Sequence, residues 1–206
     1  MKIPLRFQNT EYDCGTTSFV NALAYLFDRE DIPVELLKAI YRYTLDVDNG
    51  YGGTSRESAN ALIDKFMEYA SSNDFKIKCT KLEKEEVTLN NIKKILLNGV
   101  VVARSIQEVE HYVLITKIDD NFAYIFDPYY LGEDYYVNDD DVAVVLNELF
   151  THNRLVKIER LMEESNRDFS LMEIEKRQII GIEKIDGWLD DYIRYYRKEK
   201  KENRIN

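Results

Sequence analysis

Two rhythms divide the chain. From Thr16 to Glu30, in TTSFVNALAYLFDRE, the apolar residues Phe19, Ala22, Leu23, Leu26 and Phe27 fall at helical spacing. They predict a buried helix whose first turn holds Cys14. IPVELLKAIYRYTLD, residues 32–46, predicts a second helix with Pro33 near its first position, where a missing N–H costs nothing. After the glycine-rich loop NGYGGTS, Thr54 or Ser55 is placed to cap a third helix, RESANALIDKFMEYASS.

From Phe75 onward the period shortens to two. FKIKCTKL alternates and predicts a strand carrying Cys79. TLNNIKKILLNG predicts a short amphipathic helix stopped by Gly99. VVVARSI, HYVLITKI and FAYIFDP then follow as three β-rich runs. DDDVAVVLNELF, residues 139–150, is expected to be helical, and NRLVKIERL, residues 153–161, a final strand. Helices first and an antiparallel sheet afterwards define an α+β layout.

Past residue 159 the composition becomes charged and ends in a basic run, so residues 1–159 are expected to form one domain and residues 160–206 a charged helical extension. Within that extension Trp188, Leu189, Tyr192, Ile193 and Tyr196 make an apolar stripe. It implies packing on the body or on a second subunit, a homodimer contact.

The 206 residues suit one domain with an appendage, and 45% hydrophobic with 32% charged residues is a globular composition. A net charge of −10 disfavours binding to nucleic acid. No run approaches the roughly 18 apolar residues of a membrane span, and the first fifteen residues contain no apolar signal core. A cytoplasmic location is the resulting expectation. Cys14 and Cys79 are then expected as free thiols. With two histidines and two cysteines at no metal-ligand spacing, neither metal nor cofactor is expected.

Chemistry concentrates in QNTEYDCG, residues 8–15. A thiol at a helix N-terminus is biased toward thiolate by the dipole and the free amides. His111 opens one strand and Asp127 closes the next, with the turn signal IDDN between them. A three-residue loop, Asp119 to Asn121, would set Ile118 against Phe122 and Val113 against Asp127. His111 and Asp127 would then share a face on the diagonal; a two-residue loop would send them to opposite faces. A histidine so oriented can take the thiol proton and later return it to a leaving group. The Gln8 amide and the Cys14 backbone N–H can donate to a developing oxyanion.

Gln8, Asp13-Cys14-Gly15, His111-Tyr112-Val113 and Asp127-Pro128 together resemble the papain-like cysteine peptidases that process bacteriocin leader peptides. The GGTS stretch is also similar to that family, and the likeness covers approximately residues 3–159. It implies a papain-like fold, with Cys14 as nucleophile, His111 as base and acid, Asp127 as orienter and Gln8 as oxyanion donor. The family's leader-processing members are usually fused to a transporter. These residues hold neither a membrane span nor GxxxxGK[ST], so the resemblance implies a stand-alone peptidase. Its substrate would be a peptide or small amide.

An acyltransferase using the same three residues, and a peptide-binding module without turnover, remain open readings. Tyr129 and Tyr130, just past the orienter, are candidate walls for an extended peptide. Cys79 is expected as a core thiol, His152 as a capping or solvent-facing residue, and Asp13 as a helix cap.

Overall fold

Residues 1–185 are described by the computed structural model. The apolar stripe from Trp188 to Tyr196 lies outside the described residues, and with it the expected dimer contact.

Periodicity and capping account for the helices. α1 spans Cys14–Leu26, α2 Val34–Tyr43 with Pro33 as its N-cap, and α3 Arg56–Asn73. Ser55 caps α3 by accepting from the Ser58 amide at 3.1 Å. The strands are β1 (Ile77–Glu83), β2 (Gly99–Gln107), β3 (Val109–Ile118), β4 (Phe122–Phe126), β5 (Val142–Val144), β6 (Arg154–Lys157) and β7 (Gln178–Lys184). Between β1 and β2 lies α4 (Leu89–Ile95), capped by Thr88, and after β6 comes α5 (Ile158–Met162).

Every strand pairs antiparallel, in the order β1-β7-β2-β3-β4-β6-β5. Alternate residues serve opposite faces. Val100, Val102, Tyr112, Leu114, Phe126, Ile180 and Ile182 pack with α1, α2 and α3. Val101, Ala103, Val113, Ile115, Ile125 and Ile179 pack with Ile92 and Ile95 of α4, Leu161 of α5 and the loop residues Phe169 and Leu171. Because both faces are covered, the central strands read as continuous apolar runs such as VVVA.

The α+β order holds, with helices followed by an antiparallel sheet in the manner of a papain-like fold. Three expectations are corrected. Residues 139–150 do not form a helix: Val142–Val144 is a strand pairing with β6, and the rest is turn. The cause is electrostatic. Arg160, only 1% exposed, draws Asp139 in through two bonds of 2.8 and 2.9 Å and Asp141 through one of 2.9 Å, which holds the chain extended. The expected strand at 153–161 ends at Lys157 and turns into α5.

The third correction concerns the end of the body. The expected boundary at residue 159 fails, because β7 lies between β1 and β2. Its core QIIGI supplies three fully buried isoleucines. A side chain at Gly181 would come within 2.7 Å of Ile95, so glycine lets α4 sit down on the sheet. Averaged over a charged tail, this five-residue apolar run escaped notice.

The β3–β4 turn also departs from expectation. Ile118 faces Ala123, leaving a four-residue loop from Asp119 to Phe122. Asp119 accepts from the Asn121 and Phe122 amides at 2.8 Å each, an arrangement that favours the longer loop. The pairing shifts between Ile115 and Lys117, where a bulge at Thr116 absorbs the extra residue. Beyond the bulge Ile115 faces Ile125 and Leu114 faces Phe126, which is the register the three-residue loop would have imposed. His111 and Asp127 therefore end on the same face.

Candidate active site

Three local devices bring Cys14 to His111. Gly15 lets α1 approach the sheet, since a Cβ there would lie 2.6 Å from Thr54 Oγ1 and 3.3 Å from the Tyr112 ring. Ser18 Oγ donates to the Tyr112 carbonyl at 3.0 Å, and Phe19 packs against the Tyr112 ring at 6.4 Å. The first turn of α1 is thus fastened one residue past His111. Cys14 and His111 lie close enough for each to shift the other's titration.

His111 Nε2 lies 2.8 Å from Asp127 Oδ1. An ionised carboxylate only accepts, so Nε2 carries the proton and Nδ1 is the nitrogen left for the thiol. Asp127 is fully buried and multiply held: Gln107 Nε2 donates to Oδ2 at 3.2 Å and the Tyr129 amide to Oδ1 at 2.9 Å. Arg154, itself buried, places Nη2 3.5 Å from Oδ2. The Asn153 side chain brackets the Asp127 backbone, accepting from its N–H at 2.7 Å and donating to its carbonyl at 2.8 Å.

The titration behaviour follows from these contacts. Burial opposes charge on the His111 ring, but the bonds to Asp127 and Cys14 and their fields outweigh it and push the imidazole up to about 10. Burial alone would raise the Cys14 thiol; the bond to His111, its positive charge and the Tyr112 and Gly15 backbone bring it below the usual thiol value. The two titrate as a unit, and the arrangement favours a thiolate beside an imidazolium. Cys79 differs sharply, since burial and the nearby Glu183 carboxylate push it up to about 12.

Gln8 lines the same pocket as His111, but Nε2 donates to the Thr10 carbonyl at 2.7 Å, and Oε1 is buried with no donor. One of its two N–H groups remains for a ligand. Asp13 does not cap α1 with its side chain. Instead it turns back, accepting from the Asn9 and Thr10 amides and from the Thr10 hydroxyl at 3.1, 2.7 and 2.7 Å. Asp13 therefore fixes the loop that carries Gln8. Tyr129 lines the pocket beside His111, whereas Tyr130 packs edge-on against Phe7 at 5.1 Å and contributes to neither cavity.

Cys14 opens into a cleft of about 800 Å³ and His111 into an adjoining pocket of about 220 Å³. Glu11, Glu108 and Val109 wall both. Asn166, Met172 and Lys176 close one side of the cleft, so the segment before β7 helps build it. A separate groove of about 470 Å³ between α2 and α3 shares none of these residues and holds no nucleophile. His152 pairs with Thr151 Oγ1 at 2.8 Å and packs on Tyr124. No group of His, Cys, Asp and Glu suited to a metal occurs among the described residues, and no helix there is long and apolar enough to cross a membrane.

Gln107, Asn153 and Arg154 were missed from sequence. Asn153 and Arg154 directly precede Leu155 and Val156, a polar pair at the start of a buried strand, and that was the available signal. Gln107 carries no such mark.

An antiparallel sheet backed by N-terminal helices, with a thiol and a carboxylate-bonded imidazole gathered at its cleft, defines a cysteine peptidase-like protein. The family model described as the Peptidase_C39-like family matches residues 1–150, and the chain belongs to that family. Comparison with curated proteins and with solved structures finds no match.

Proposed function

We propose that the protein cleaves a peptide or small amide bond through an S-acyl intermediate on Cys14. The observation that carries this reading is His111, hydrogen-bonded to a buried Asp127 and close enough to Cys14 to lower its thiol, beside an open cleft that Cys14 lines. The thiolate attacks the carbonyl carbon, and the carbonyl oxygen becomes an oxyanion. The Cys14 N–H and the free N–H of Gln8 donate to that oxyanion. His111 hands its Nδ1 proton to the departing amine as the tetrahedral species collapses to a thioester. It then takes a proton from water, whose oxygen attacks the thioester and releases the acid. Asp127 keeps the ring in its tautomer throughout and stabilises the imidazolium.

No metal or cofactor enters this scheme. A second reading keeps the first half and changes the acceptor, so that an amine enters the open cleft in place of water and the protein is an acyltransferase. Mass spectrometry separates the two after incubation with a peptide library and, in parallel, with acyl thioesters. Cleaved peptides that vanish with Cys14→Ala support the peptidase. An adduct on Cys14 discharged only by added amine supports the transferase. Absence of both cleavage and adduct would leave a binding module.

A further inference from the structure

The walls around the nucleophile carry an uneven charge. Four acids and bases face the two cavities besides the Cys14–His111 pair: Glu11, Glu108, Glu110 and Lys176. Glu110 is ion-paired with Arg104, and Lys176 with Glu173 at 2.8 Å. Glu11 and Glu108 form no ion pair among the described residues. Glu108 accepts instead from the Tyr135 hydroxyl at 3.1 Å, and Glu11 lies close enough to Tyr129 to raise its phenol; a tyrosine orients a carboxylate without neutralising it.

Both carboxylates belong to both cavities, so they stand where the cleft of Cys14 meets the pocket of His111. Glu108 occupies the one-residue tip between β2 and β3 with φ of 58°, a left-handed backbone uncommon for glutamate. Asp168 accepts its N–H at 3.1 Å and so fastens that tip to the segment before β7. Tyrosine rings complete the walls: Tyr12 and Tyr51, edge to face at 5.7 Å, line the cleft, and Tyr129 and Tyr135 line the pocket. Aromatic faces that pack an alkyl stem, ending at carboxylates without a counter-ion, match a lysine or arginine side chain.

We propose that Glu11 and Glu108 make the site selective for peptides carrying a basic side chain next to the bond presented to Cys14. This rests on the reading of Cys14 as an acylated nucleophile, and the test separates the two. Acetylated heptapeptides of alanine and glycine, with a single lysine, norleucine or glutamate moved through the positions, are titrated calorimetrically into the full chain bearing Cys14→Ala. Norleucine keeps the stem of lysine and lacks its ammonium.

At one position or two adjacent ones, the lysine peptide is expected to bind at least about tenfold more tightly than its norleucine counterpart, with the advantage falling as salt is added. Glu11→Gln with Glu108→Gln should bring that ratio close to one. Glu108→Lys should turn the preference toward the glutamate peptide, a gain that a misfolded variant could not produce. Equal binding of norleucine and lysine peptides at every position, or binding of no peptide in the set, overturns the proposal. Iodoacetamide labelling of the native chain judges the nucleophile separately. An unreactive Cys14 with intact lysine preference keeps the subsite and removes the chemistry, and a reactive Cys14 with no lysine preference does the reverse.

Discussion

Replacing His111 with alanine tests the site at its centre, with Cys79 as an internal standard. Cys79 is pushed up to about 12, so at pH 7 its thiolate fraction is on the order of 10⁻⁵. Cys14 lies below the ordinary value of 9.0, so its fraction exceeds about 10⁻². The populations differ by more than about 10³. A less basic thiolate is a weaker nucleophile, and over three units at a Brønsted slope of about 0.45 that returns a factor of roughly 20. Cys14 should therefore be alkylated by iodoacetamide at least about 40 times faster than Cys79, followed by peptide mass spectrometry at pH 7. Each further unit by which Cys14 is lowered toward the assay pH widens the gap, because population grows tenfold and nucleophilicity falls about threefold. In His111→Ala the hydrogen bond and the positive charge vanish and burial remains. The thiol then rises, labelling at pH 7 slows, and its rate climbs with pH. Equal labelling of the two cysteines in the native chain, or an unchanged Cys14 rate in the variant, would refute the ion-pair argument.

Asp127→Asn should lower turnover by about 10²–10⁴, because the amide can present an N–H to Nε2 and favour the wrong tautomer. It should also cost about 3–5 kcal/mol in urea unfolding by leaving buried Arg154 without its carboxylate; an active, fully stable variant would contradict this. Since His111 is raised to about 10 in the fold, its contribution to stability is complete below pH 6.5 and is lost as pH rises through about 10. Cys14, lowered in the fold, offsets that loss up to its ordinary value of 9.0, so urea midpoints should fall most clearly between pH 9 and about 10, and His111→Gln should flatten the fall. Gly15→Ala should destabilise by about 1–3 kcal/mol, since the new methyl meets Thr54 Oγ1 at 2.6 Å, and should slow Cys14 alkylation by displacing α1 from Tyr112.

The helices were legible because burial on one side leaves a 3.6-residue signature, and Cys14, His111 and Asp127 were legible because thiol, ring and carboxylate are rare enough to stand out. The separation of His111 from Asp127 was readable for a subtler reason. The turn length was misjudged by one residue, yet the bulge at Thr116 cancels the error before it reaches the site. Local sequence carries no such compensation rule. What stayed hidden was non-local. β7 pairs with β1 across about 95 to 107 residues of sequence and with β2 across about 76 to 84, and nothing in QIIGI names those partners. The run at 139–150 was misread for a related cause, since Asp139 and Asp141 answer to Arg160 and not to their own neighbours.

The position of β7 bears on how the protein matures at the ribosome. Until residues 178–184 have left the exit tunnel, β1 and β2 have no common partner, and each presents a row of unpaired backbone groups to its surroundings. Tyr112 depends on the same late arrival, because its hydroxyl donates to Gln178 at 3.1 Å, and Tyr112 is the residue against which α1 is docked. The surface that receives α1 is thereby completed only when nearly all of the polypeptide described has been synthesised.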